Sequence, residues 1–175
     1  YKEEANKAFL SIPTSDIEQF VNLIIKTYNN EGKVFACGNG GNVASVQNLV
    51  LDLNMHPFVS EDKSARKGVR NKFQAVSLCD SGAAITGITN DLGFEYIFSE
   101  QLKYQGREGD VLFAMSGSGN SKNVIEAMKV AKDLGMICVV MTRNQVTRSD
   151  DYADIALRIN SYPSSFPGQT GKNNN

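Results

Sequence analysis

No apolar run in this sequence approaches the roughly 18 residues that a membrane-spanning helix requires, so none of its segments reads as one. Neither sign of charge is in excess. With 18 basic and 19 acidic side chains and a net charge of −1, the chain has no electrostatic footprint for nucleic acid or an anionic lipid surface. Cysteine is scarce, and Cys37, Cys79 and Cys138 lie far apart in or beside apolar stretches. That arrangement excludes a disulfide framework and points to reduced core thiols in the cytoplasm. Histidine is scarcer still: His56 is the single one, placed before Pro57, and reads as a surface residue. The Walker pattern G-x-x-x-x-G-K-[ST] is absent, Gly168-Gln169-Thr170-Gly171-Lys172 having the wrong spacing.

What remains is an ordinary globular composition in 175 residues, one domain's length, able to bury about two thirds of its unfolded surface. Ser15 and Glu18 have capping-box spacing, and Ile17, Phe20, Val21, Ile24 and Ile25 follow at helical intervals, with Gly32 as the expected stop. Five short apolar runs then read as strands: 34–37, 74–79, 111–115, 137–142 and 155–159. Between them fall helical segments near 43–54, 82–89, 94–105 and 122–134. Val124, Ile125, Met128, Ala131 and Leu134 form the inward stripe of the last. Strands that lack polar alternation and alternate with helices imply a parallel sheet covered on both faces. The polar stretch 60–72 is expected to be an exposed loop whose charge serves solvation. The sequence opens at Tyr1 and stops in Asn173-Asn174-Asn175, so a longer natural chain carrying a further C-terminal helix is expected.

Ligands of open parallel sheets bind at the carboxyl ends of the strands. Three polar segments fall there. Ser116-Gly117-Ser118-Gly119-Asn120-Ser121 is the sharpest: small residues bare their N–H groups, three hydroxyls share a concavity, and Ser121 sits where a helix begins, a combination that suits phosphate. The competing reading is a turn with Ser121 as helix cap. Gly38-Asn39-Gly40-Gly41-Asn42 follows the first strand, but Val43 stands where a dinucleotide fingerprint needs Gly or Ala. Cys79-Asp80-Ser81-Gly82 follows the second and reads equally as a helix cap. Asp52 lies among Leu49, Val50, Leu51 and Leu53, and is either exposed or functional. Asn90 and Asp91 end an apolar helix.

Taken together, CGNGGNVAS at 37–45, AVSLCDSGAAITGITNDLGFEYIFSEQL at 75–102 and GREGDVLFAMSGSGNSKNVIEAMKVAKDLGM at 106–136 resemble the SIS (sugar isomerase) domain, and within it the phosphoheptose isomerase group. The resemblance implies a single SIS domain: a three-layer α/β sandwich on a five-stranded parallel sheet, usually tetrameric, with sites between subunits. It implies that Ser116, Ser118 and Ser121 hold a sugar phosphate. Gly117, in place of the group's usual threonine, keeps only its N–H. Asn39, Gly40, Gly41, Asn90 and Asp91 would line the sugar. The group carries His-x-x-x-Glu on the helix after the glycine loop, both binding zinc and the Glu moving a proton; here the pair is Asn48 and Asp52. Asp52 is thus the candidate base, zinc is doubtful, and the second base is expected beyond residue 175; Gln169, near the group's glutamine by count, is given no role. The implied activity is aldose–ketose isomerisation of sedoheptulose 7-phosphate. The alternative is a non-catalytic SIS module that binds a sugar phosphate or a protein partner.

Overall fold

A computed structural model describes residues 2–62, 64–65, 73–143 and 145–160. Most of the expected 60–72 loop and everything after Asn160, including Gln169, lie outside the described residues.

The chain opens with α1 (Lys2–Phe9), for which the polar sequence offered no clean stripe, and α2 (Thr14–Asn29). The capping box does not form. Pro13, held at φ −57°, occupies the N-cap, the helix starts one residue before Ser15, and the Ser15 hydroxyl bonds Asp16 instead. At the other end the left-handed residue is Glu31 (φ 56°), not Gly32. Glycine at 32 is needed for closeness: a Cβ there would stand 3.0 Å from Thr27 Cγ2.

Five parallel strands follow among the described residues: β1 (Lys33–Gly38), β2 (Gln74–Ser77), β3 (Val111–Met115), β4 (Ile137–Arg143) and β5 (Ile155–Ile159). Their order is β2-β1-β3-β4-β5, with Phe35 beside Val76 on one flank and Leu112 on the other. Central strands buried on both faces explain why 34–37 and 111–114 read as unbroken apolar runs. The second strand stops two residues short of expectation, because the Ser77 hydroxyl accepts the Cys79 N–H and turns the chain.

The connecting helices are α3 (Gly41–Met55), α4 (Gly82–Asp91), α5 (Ser99–Gln105) and α6 (Lys122–Asp133). The helix expected over 94–105 is broken into a 3-10 turn at Phe94–Tyr96 and α5, with the Ser99 hydroxyl donating to the Tyr96 carbonyl at the junction. Crossovers run in opposite directions from β1 and β3, so right-handedness places α3 and α6 on opposite faces. Phe20 of α2 meets Phe113 of β3 at 5.3 Å between ring centroids, adding α2 to the cover. Val124, Met128 and Ala131 are buried in the core, as the stripe implied, while Ile125 is buried outside it, beside a cleft with Glu95 and Tyr96. No helix of the described residues is long and apolar enough to cross a membrane.

Strand β2 is an edge. Asn54, near the end of α3, meets it there: its Nδ2 donates to the Ala75 carbonyl at 2.8 Å and its Oδ1 accepts the Ala75 N–H at 2.9 Å.

Candidate functional site

The strand order reverses between β1 and β3, so the loops leaving those two strands flank a crevice at their carboxyl ends. The serine loop leaves β3 still attached to β4, since the Ser116 N–H donates to the Met141 carbonyl at 3.0 Å. It bends at Gly119, where φ is +62° and an added Cβ would collide with the Thr147 side chain. The turn at 147–150 braces it from outside: the Ser149 N–H donates to the Gly119 carbonyl at 3.0 Å and the Arg148 N–H to Asn120 Oδ1 at 3.2 Å. Asp150 holds that turn by accepting from the Thr147 N–H and by pairing with Arg158.

Ser121 does sit at the start of α6, its carbonyl accepting the Ile125 N–H. Its hydroxyl, however, caps nothing; it accepts from the buried Ser116 hydroxyl at 3.2 Å. The exposed Ser118 hydroxyl accepts the Asn120 N–H. Among the described residues, the N–H groups of Gly117, Ser118 and Ser121 donate to no protein acceptor, and those of Lys122 and Asn123 belong to a helical first turn that has none within the helix. Hydroxyls and N–H groups without protein acceptors therefore lie on the loop that leads into the N-terminus of α6, an end whose dipole favours an anion.

The glycine loop is tied to the first turn of α6. Asn39 and Asn123 exchange reciprocal amide bonds at 2.9 and 2.8 Å, and Asn123 Oδ1 also accepts the Val124 N–H. Gly40 (φ 57°) and Gly41 face open space, leaving room for a ligand against their backbone. A cleft of about 310 Å³ is lined by Asn39, Phe94, Glu95, Ser121, Lys122 and Asn123. Asn90 and Asp91 do not line it. They are exposed and bonded to one another at 2.8 Å, and the chain turning past them at Gly93 delivers Phe94 and Glu95 instead. Sequence reasoning missed Glu95, Lys122 and Asn123. Their only signal was adjacency to the motifs.

Asp52 is not brought to this cleft. It lies eleven residues into α3 from Gly41, about 16 Å along the axis, more than half exposed, with its carboxylate 3.5 Å from His56 Nδ1. Solvent screens that pair strongly. Asn48, one turn earlier, is exposed as well. A zinc site fits these residues poorly. Asn48 offers a weak amide oxygen, and among the described residues no group of three His, Cys, Asp or Glu converges. Ser81 takes the capping role, accepting the Ala84 N–H, while Asp80 accepts from Gln47 and Ser77. All three cysteines are buried and free. Burial pushes the Cys37 thiol well above its ordinary value and the Cys138 thiol up to about 12.

Residues 1–143 match the family model for the SIS domain. The chain belongs to that family. It is 36% identical over 159 residues to the phosphoheptose isomerase of Helicobacter pylori strain P12, an alignment covering 91% of this chain and 78% of the relative. Its fold matches a phosphoheptose isomerase from Francisella tularensis with a TM-score of 0.78 and 26% identity, covering 91% of this chain and 80% of that one. The phosphoheptose isomerase of Neisseria gonorrhoeae matches with the same TM-score and 30% identity, over 93% and 82% of the two chains.

Proposed function

We propose that this SIS-family chain is an aldose–ketose isomerase that converts sedoheptulose 7-phosphate to a heptose 7-phosphate. The observation that carries the reading is the donor-rich serine loop, with its hydroxyls and bare N–H groups uncommitted to helix capping and locked by Asn39–Asn123 to an open glycine loop. The relatives' shared name supplies the substrate.

In this mechanism Ser116, Ser118 and Ser121, with the N–H of Gly117, anchor the phosphate. Asn39, Gly40 and Gly41 position the sugar. A carboxylate removes the proton from C2 of the aldose or C1 of the ketose and returns it to the other carbon, through an enediol, while a proton moves between O1 and O2. Remote phosphate binding supplies the orientation that this transfer needs. Asp52 is the carboxylate we assign. Its separation from the cleft is accounted for if it serves the site of a neighbouring copy in a homo-oligomer, a tetramer by family likeness. Ile17, Val21 and Ile25 on α2 and Leu51 and Met55 on α3 are exposed apolar side chains that such an assembly would cover.

The test is turnover of sedoheptulose 7-phosphate followed by NMR, with and without added zinc. Product formation is expected. A chain that binds the sugar phosphate without converting it is instead a ligand-binding module.

A further inference from the structure

The serine loop offers a phosphate dianion only neutral donors: hydroxyls and backbone N–H groups. A cation stands behind it. Gly117 lies outside the left-handed region, so its backbone does not demand glycine, and a Cβ built there would meet just two atoms within 4 Å: Arg143 Nε at 3.7 Å and Arg143 Nη2 at 3.8 Å. The guanidinium therefore borders the space a side chain at 117 would occupy. Arg143 is placed there by the sheet. It is the last residue of β4, two beyond Met141, whose carbonyl holds the Ser116 N–H.

Arg143 is half-buried, and among the described residues its guanidinium makes no hydrogen bond and no ion pair; its carbonyl accepts from Thr142 Oγ1 and the Gln145 N–H. A guanidinium beside the loop with no protein acceptor is available to an anion. Two other cations are near. Lys122 lines the 310 Å³ cleft as well as an adjoining one of about 210 Å³, where Glu95 and Glu126 also stand, and Arg148 is exposed on the rim of the second. Guanidinium geometry suits two oxygens of one phosphate.

We propose that Arg143 is a phosphate-binding residue of this site, supplying through the gap at Gly117 the positive charge that the serine loop lacks. The proposal deepens the sugar-phosphate reading and rests on it for the identity of the substrate, but inorganic phosphate probes it separately.

The experiment compares wild type with Arg143→Gln and Arg143→Lys, each first shown by circular dichroism to melt cooperatively. Binding of inorganic phosphate and of sedoheptulose 7-phosphate is measured by calorimetry at low and high salt, and turnover by NMR. Arg143→Gln is expected to weaken both ligands and raise KM by about 10- to 100-fold, with kcat little changed, because the phosphate is held alike in ground and transition states. The salt dependence of binding should shrink with it, and Arg143→Lys should recover part of the loss. Phosphate binding by Arg143→Gln equal to wild type, at either salt, overturns the proposal. If wild type binds phosphate through Arg143 yet does not turn over the sugar, the isomerase reading fails and this one survives. If wild type binds neither ligand, both fail.

Discussion

Replacing Asn123 by alanine tests whether the two loops form one rigid site. The side chain is 2% exposed and takes part in three hydrogen bonds: two with the Asn39 amide and one accepted from the Val124 N–H. At about 1 kcal/mol net for each, and with the half-buried Asn39 amide partly rehydrated, the loss comes to about 2–3 kcal/mol. For a chain of this size, that corresponds to a drop of about 5–10 °C in melting temperature. Asn123→Asp separates stability from function. A carboxylate still accepts from Asn39 Nδ2 and from Val124, but cannot donate to Asn39 Oδ1, and it places negative charge beside the phosphate donors. It should cost less stability than alanine yet raise KM more. Urea denaturation and steady-state kinetics on the three proteins read both effects. A loss below about 0.5 kcal/mol for Asn123→Ala, with KM unchanged, would refute the coupling of the loops.

Other perturbations have separable outcomes. Asp52→Asn should abolish turnover while calorimetry still detects sugar-phosphate binding; loss of both would make Asp52 structural. Ser121→Ala should lower the melting temperature by only the few degrees that follow from losing the bond its hydroxyl accepts from Ser116, since it caps no N–H of α6, and should raise KM by roughly tenfold; destabilisation with KM intact would favour the capping reading. Gly119→Ala combines a strained φ of +62° with a collision against Thr147, so it should both lower the melting temperature and weaken phosphate binding. The buried Cys138 thiol is held neutral up to about 12 against an ordinary 9.0. Its contribution to stability is therefore full below the unfolded value and lost as pH rises between the two, so the urea midpoint should fall from about pH 8 to about pH 10.5. A constant midpoint would contradict that.

Much of the fold was legible because buried parallel strands are short uninterrupted apolar runs: β3 and β5 span the residues expected of them, and the α6 stripe packs as its periodicity implies. Errors arose where a local rule met a stronger neighbour. Ser15 has the right spacing for a cap, but the fixed φ of Pro13 starts the helix earlier. The segment 94–105 has helical periodicity, but Ser99 takes the Tyr96 carbonyl and the run divides. In the site, the serine and glycine loops were visible as motifs because small residues at strand ends have few other uses. Their partners were not. Asn39 meets Asn123 across 84 positions, and Arg143 reaches Gly117 from another strand. Nothing local in either sequence neighbourhood encodes those meetings.

The contact of Asn54 with Ala75 bears on how this chain stays apart from its copies while folding. An outer strand displays a row of N–H and C=O groups that another chain's backbone can match rung by rung. At Ala75, one amide side chain fills both bonding positions of a rung, imitating the backbone that would otherwise dock there. The plug is carried by α3, the helix that precedes β2 in the chain, so a copy still emerging during synthesis holds its stopper before it makes the edge. Losing that amide would leave activity per folded molecule untouched while lowering the yield of unaggregated protein.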